Sequence, residues 1–299
     1  MKAEKKSPSS FFLTDERFAL ALIIPLIIFE LVLVAYPLAY SFWLSLNEVL
    51  FVRKVFAFVG VGNYVSVFTN PETPHFVLTT IRITIDITVF TILLGLGIAL
   101  LLNESFKGRT ILRAVVLLPW AVSEYCTGVI WRFLYSEQLG FFNSLLMVSG
   151  LIDKNLLILT PEWAPEFVSI AFAWHYTPLI AFFLLAGLQT VPEDLYRAAR
   201  VDGAGPIKRF VKVTLPHLKY AVLISLILAS MEAARATDVI ILLTGGGPGI
   251  ATESLTWHIY KTSFRNLDLG LGAAYSYVLL VIMMIIGTSY FYALFGRKK

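Results

Sequence analysis

The sequence predicts an all-α, polytopic membrane protein with six transmembrane helices and both termini in the cytoplasm. Three observations carry this. The 299 residues are 58% hydrophobic and only 15% charged, with a mean hydropathy of +0.77, far from the balance of a soluble domain. Six apolar stretches each reach the roughly 20 residues that a helix needs to cross a bilayer core. Lysine and arginine are unevenly shared between the segments joining those stretches, and basic residues collect on the cytoplasmic side.

The spans fall at about 18–44, 77–102, 111–134, 167–190, 220–243 and 269–296. The first is too long for a signal-peptide core and no small-x-small site follows it, so it reads as a retained anchor. The last has no charged residue between Leu269 and Gly296. Six is an even number, which puts both termini on one side. With the N-terminus inside, the inner segments hold 16 Lys/Arg and the outer ones 6. That makes 1–17 and 297–299 cytoplasmic tails, 18–296 the membrane domain, and 135–166 and 244–268 external loops.

Several chemistries are excluded. Cys126 is the single cysteine, so there is no intrachain disulfide and no CxxC pair; it reads as a small packing residue in a membrane helix. The four histidines show no metal-ligand spacing, and no metal site or catalytic residue is expected. The chain has no GxxxxGK[ST] and cannot cradle ATP phosphates. Gly245-Gly246-Gly247-Pro248-Gly249 lacks the lysine and reads as a turn.

One stretch stands out from this apolar background. Residues 191–218 hold Glu193, Asp194, Arg197, Arg200, Asp202, Lys208, Arg209 and Lys212. Pro192 suits a first helical position. Glu193 and Asp194 suit the positive end of a helix dipole, and Arg197 and Arg200 the negative end. Glu193 and Arg197 are spaced i, i+4. Gly203 fits a left-handed C-terminal cap, and Gly205-Pro206 restarts a helix whose apolar residues Ile207, Phe210, Val211 and Thr214 follow helical spacing. Leu215-Pro216 is expected to end it. Two short helices around a glycine elbow fit either a docking element or an amphipathic hairpin on lipid headgroups.

The stretch "LYRAARVDGAGPIKRFVKVTLP" resembles the cytoplasmic EAA loop of ABC-importer permeases, through Ala198, Ala199, Asp202, Gly203, Ala204, Val213, Leu215 and Pro216. "VAYPLAYSFWLSL" (34–46), "VGVGNY" (59–64), "ALLLNESFKGRTILRAVVLLPWAV" (99–122), "GFFNSLL" (140–146) and "LLTGGGPGIATESL" (242–255) are similar to carbohydrate permeases of the maltose-transporter type, in the same order over nearly the whole chain. The resemblance implies that 191–218 docks in a cleft of a separate ATPase. Glu193, Arg197, Ala198, Ala199, Asp202, Gly203, Ala204, Leu215 and Pro216 would then carry the coupling. Arg197 stands where the family usually has Glu. The implied partners are a second homologous permease, an ATP-binding cassette ATPase dimer, an extracytoplasmic sugar-binding protein and membrane lipids, with no nucleic acid. ATP and Mg belong to the ATPase, and no cofactor is expected in this chain.

Charges inside the spans need partners or a cavity, since each costs about 2.5–3.5 kcal/mol at the bilayer centre. Arg82 and Asp86 (i, i+4) and Arg235 and Asp238 (i, i+3) are spaced to pair. Glu232 is a further charge in the fifth span, and Glu30 is read as protonated or facing a neighbouring helix, with a substrate role as the alternative. Trp120 and Glu124, four apart after Pro119, would stand one above the other on a helix, offering a sugar a stacking face and a carboxylate. Trp174, His175 and Tyr176 form a second cluster, or part of an interfacial aromatic belt. The resemblance implies a sugar site at Trp120, Glu124, His175, Tyr176, Leu179, Ala233, Arg235 and Ala236, with alanines departing from the polar residues usual there.

These features lead to the permease subunit of a binding-protein-dependent ABC sugar importer in a prokaryotic plasma (inner) membrane. It would move a neutral di- or oligosaccharide of trehalose/maltose type by ATP-driven alternating access. An ion-coupled secondary transporter would need coupling-ion sites, for which Asp86 and Glu30 are available, and usually repeats or broken helices; it leaves 191–218 unexplained. A glycerol-phosphate substrate would favour clustered cations in the cavity, and only Arg235 and Arg82 are available for one.

Overall fold

The computed structural model describes residues 15–50 and 54–295. Most of the two predicted tails, at 1–14 and 296–299, lies outside them. The described chain is helical apart from one β-hairpin. Four helices are long and apolar enough to cross a membrane: Phe18–Ser45, Thr73–Asn103, Ala164–Gln189 and Leu269–Tyr290. The expected spans at 111–134 and 220–243 are not single straight helices.

The first span is α1 (Asp15–Glu30) and α2 (Tyr36–Ser45), joined through a π-helical turn, Leu31–Ala35. Glu30 is exposed where that turn begins. None of this span's most apolar window is buried, against 72% for α8 (Ala164–Gln189). The span therefore stands apart, held near its C-terminal end, where Tyr277 donates a hydrogen bond to the Leu38 carbonyl (2.6 Å) and packs edge-on against Phe42. A hairpin, β1 (Asn47–Leu50) with β2 (Val55–Phe58), follows, with Asn47 opposite Phe58. α3 (Gly62–Thr69) closes it. There the Asn63 amide donates to the carbonyls of Ser45 and Asn47, both at 2.9 Å.

The core forms where α4 (Thr73–Asn103) crosses α8. At Gly95 a Cβ would lie 3.1 Å from Ile180 Cγ2 and 3.3 Å from the Ala181 amide, so the two backbones meet as closely as a glycine allows. Small residues permit such approaches between membrane helices. Ile87, Phe172, Ile180, Leu184 and Leu188 fill the contact. α12 (Lys219–Ala233) packs against both, and a Cβ on Gly187 would come within 2.5 Å of Ala221 Cβ. α15 (Leu269–Phe295) forms the last span.

Two spans are interrupted. α5 (Arg109–Ala121) and α6 (Glu124–Leu134) meet at 95°. Pro119 lies in the last turn of α5, and Val122 and Ser123 are extended, with ψ of 140° and 151°. The Ser123 hydroxyl accepts from the Cys126 amide (3.2 Å), starting α6 with a side-chain cap. Trp120 and Glu124 are therefore not one turn apart on a common helix. α12 stops at Ala233, and α13 (Thr237–Leu243) begins after Ala236. Ala236 (φ −66°, ψ 58°) is the centre of an inverse γ-turn, closed by the Thr237 amide on the Arg235 carbonyl (2.6 Å). Beyond the breaks, α6 lies against α13 at Gly128. Cys126, expected between helices, is exposed on α6.

The segment before α12 also differs from expectation. α9 (Glu193–Val201) and α10 (Pro206–Arg209) form the elbow, but Pro192 is the extended N-cap residue, not the first helical one. Leu215-Pro216 does not end the second helix. It runs on through a π-helical turn, Phe210–Thr214, to α11 (Leu215–His217); the Leu215 amide reaches back to the Phe210 carbonyl, and this widened turn lies just ahead of Pro216. The bend comes two residues later, at Leu218, where the chain turns 69° into α12.

Candidate functional site

The breaks in the third and fifth spans point into one region beside α8. His175, buried on α8, donates from Nδ1 to the Pro119 carbonyl (3.0 Å). A carbonyl can only accept, so a proton sits on Nδ1. This bond fastens the end of α5 to α8. Trp120 follows, 46% exposed. Tyr176 is buried one residue beyond His175, and Leu179 is half-buried a turn later.

Four charged groups gather there. Glu124, at the start of α6, lies in the fields of Asp238, Glu232 and Arg235. Tyr176 lies in those of Glu232, Glu124 and Arg235. Arg235, expected to pair with Asp238, instead binds Glu232 through Nη2 and Oε1. The helix break explains this. Glu232 and Arg235 flank the end of α12 at i, i+3, whereas Asp238 belongs to α13, whose axis restarts after the turn. Ala233 and Ala236 are buried at the junction. They supply close packing and no hydrogen-bonding side chain. Such interruptions are tolerated at membrane depth where the freed backbone is enclosed by protein or lines a polar path.

The predicted Arg82–Asp86 pair does not form. The Arg82 guanidinium reaches across to α8, donating from Nε to Glu166 Oε1 (2.9 Å) and from Nη2 to the Glu162 carbonyl (3.0 Å). Asp86 Oδ2 has no hydrogen-bond partner. Glu166 opens the first turn of α8, where the helix dipole favours a carboxylate. This is a structural clasp between α4 and α8, away from the breaks.

At the elbow, the Gly203 amide donates to the Arg200 carbonyl (3.1 Å) and the Ala204 amide to the Ala199 carbonyl (2.9 Å), with Gly203 at φ +71°. That is a Schellman cap. Arg197, which replaces an expected Glu, is held by Glu193 (3.1 Å) and Asp194 (3.8 Å) on its own helix. Ala198, Ala199, Asp202 and Ala204 line a groove of about 430 Å³ between the two arms, with Lys208, Lys212 and His217 opposite. Leu215 is exposed and Pro216 sits in α11.

The glycine-rich turn caps the opposite end. Gly245, Gly246 and Gly249 have positive φ, and a side chain on Gly246 would run into the Trp257 indole. Beyond it α14 (Leu255–Tyr260) is tied to α4 by the Leu255 amide on Thr80 Oγ1 (2.7 Å). Glu253, 3% exposed, binds His258 (2.9 Å) and Lys261 (3.0 and 3.1 Å). Burial alone would raise its carboxyl; the hydrogen bonds from His258 and Lys261 and their charges outweigh it and hold the group below its ordinary range. Sequence reasoning missed Glu253, Glu166 and the roles of Glu232 and Gly128. Only the Glu232–Arg235 spacing offered a signal.

Comparison with known proteins places these features in context. The sequence model of the family described as "binding-protein-dependent transport system inner membrane component" matches residues 91–299. The chain is 38% identical to the trehalose/maltose transport system permease protein MalF of Thermococcus litoralis, covering 95% of each. It is 32% identical to the sulfoquinovosyl glycerol transport system permease protein SmoG of Agrobacterium fabrum, over 93% of this chain and 90% of that one. Among solved structures, the fold matches a chain of a bacterial alginate ABC transporter in complex with an alginate pentasaccharide-bound periplasmic protein. The TM-score is 0.77 at 20% identity, covering 92% of this chain and 93% of the other.

Proposed function

Because the chain belongs to the family of binding-protein-dependent transport system inner membrane components, we propose that it is the permease subunit of an ABC importer for a neutral di- or oligosaccharide of trehalose/maltose type. The carrying observation is the junction of the two interrupted spans. Supporting the reading, Glu124, Glu232, Arg235 and Asp238 gather around the buried Tyr176, and His175 ties in the end of α5 next to the exposed Trp120. Sugars are held by aromatic stacking and by hydrogen bonds to such groups. The relatives' names supply the substrate type.

The path is shared with a second, homologous permease. An extracytoplasmic receptor delivers the sugar, and an ATPase dimer binding ATP and Mg closes on the elbow at 191–218, switching the spans between inward- and outward-facing states. Both termini and the elbow are then cytoplasmic. Glu124→Ala in the reconstituted complex is expected to lower the rate of uptake or raise its KM without loss of assembly; unchanged uptake rate and KM remove Glu124 from the site.

A further inference from the structure

We propose that Glu232 sets the charge selectivity of the site by masking Arg235, so that acidic sugars are refused. This rests on the reading of the junction as the substrate path. Among the described residues, Arg235 is the cation in the fields of Glu124 and Tyr176. Its side chain is 62% exposed, yet Nη2 is taken by Glu232, whose side chain is 33% exposed at the end of α12. Arginine recognises carboxylates and phosphates through paired N–H donors. With one arm of the fork already on a carboxylate, an incoming anion meets a neutralised guanidinium. The cluster of Glu124, Glu232, Asp238 and Arg235 has a formal charge of −2. Neutral hydroxyls still find acceptors on it, whereas an acidic sugar is repelled. Glu232 thus acts through Arg235 as a positioning residue for specificity.

The test is equilibrium binding to the assembled permease–ATPase complex in nanodiscs, without receptor, using maltose and trehalose as neutral ligands and maltobionate as the acidic one. The readout is the ratio of acidic to neutral Kd, which a merely structural defect leaves alone because it weakens both. In Glu232→Gln that ratio is expected to fall about tenfold, the value of one charge-assisted hydrogen bond regained. It falls further in Glu232→Gln/Asp238→Asn, and stays as in the wild type in Glu232→Asp. Adding Arg235→Gln to Glu232→Gln removes the gain. An unchanged ratio in Glu232→Gln, or a gain that survives Arg235→Gln, overturns the masking role. If the assembled wild-type complex binds neither neutral disaccharide, the substrate reading itself falls.

Discussion

Replacing Gly128 with alanine tests whether α6 and α13, the helices that follow the two breaks, are locked together. A Cβ at Gly128 would lie 2.9 Å from Leu242 Cβ, 3.1 Å from the Val239 carbonyl oxygen and 3.3 Å from Val239 Cα. Ordinary contact begins at 3.4 Å. All three atoms are fixed to the α13 backbone, so no side-chain rotation relieves the crowding. The helices must part by about half an ångström. Overpacking of this kind costs about 1–3 kcal/mol. At about 2–4 °C per kcal/mol for a chain of a few hundred residues, Tm falls by about 2–12 °C. Gly97→Ala is the control: a Cβ there meets nothing within 4 Å, and alanine gains about 0.8–1.0 kcal/mol over glycine in a helix. Tryptophan-fluorescence melts of both purified variants in detergent decide the matter. If Gly128→Ala melts with Gly97→Ala, the close packing of α6 on α13 is refuted.

Three further outcomes follow from the geometry. In a double-mutant cycle read by thermal stability, Arg82→Gln couples to Glu166→Gln by about 0.5–1 kcal/mol, kept small by the half-exposed guanidinium; stronger coupling to Asp86→Asn would reverse the assignment. Because the Glu253 carboxyl is held below its ordinary value of 4.5, it stabilises the fold fully above that pH and loses the contribution as pH falls through the lower, folded-state value. Hydrogen-exchange protection in 250–262, corrected for the intrinsic rate at each pH, should therefore fall in acid for the wild type and be low and flat for Glu253→Gln; parallel curves would contradict this. Gly203→Val meets no clash, since nothing lies within 4 Å, but forces a β-branched residue to φ +71° at about 1–2 kcal/mol. Substrate-stimulated ATPase of the assembled complex should drop, while Gly203→Asn, which tolerates that backbone, keeps it. Equal rates for Gly203→Val and the wild type would refute the need for a left-handed residue there.

What the sequence made legible follows how local each cause is. The elbow was readable because its determinants lie within a few residues: acids in the first turn of α9, glycine at the cap, Gly205-Pro206 at the restart. The break after α5 had signals in Pro119 and Ser123, but an apolar run through 111–134 masks them in a hydropathy reading. The break after α12 had none. Ala233, Ala234 and Ala236 are strong helix formers, and the γ-turn at Ala236 reflects packing of α13 against α6, a contact between residues more than a hundred apart. The Arg82–Glu166 clasp likewise joins residues 84 apart, which no periodicity announces.

The interrupted spans also explain where the intramembrane charges sit. Glu124, Glu232, Arg235 and Asp238 all fall within two residues of a helix end. A carboxylate on an intact span faces either lipid or a neighbour with its own backbone satisfied, and both are costly. At a helix end the chain already exposes unpaired amides and carbonyls, so a polar path is present before any side chain is added. Glu124 and Asp238 each occupy the first turn of a helix, α6 and α13, where the dipole favours a negative charge. Arg235 lies just beyond the last turn of α12, where a positive one is favoured. The breaks therefore position the charges: two carboxylates stand at helix starts and Arg235 stands beyond a helix end, so that acidic side chains outnumber basic ones at the junction.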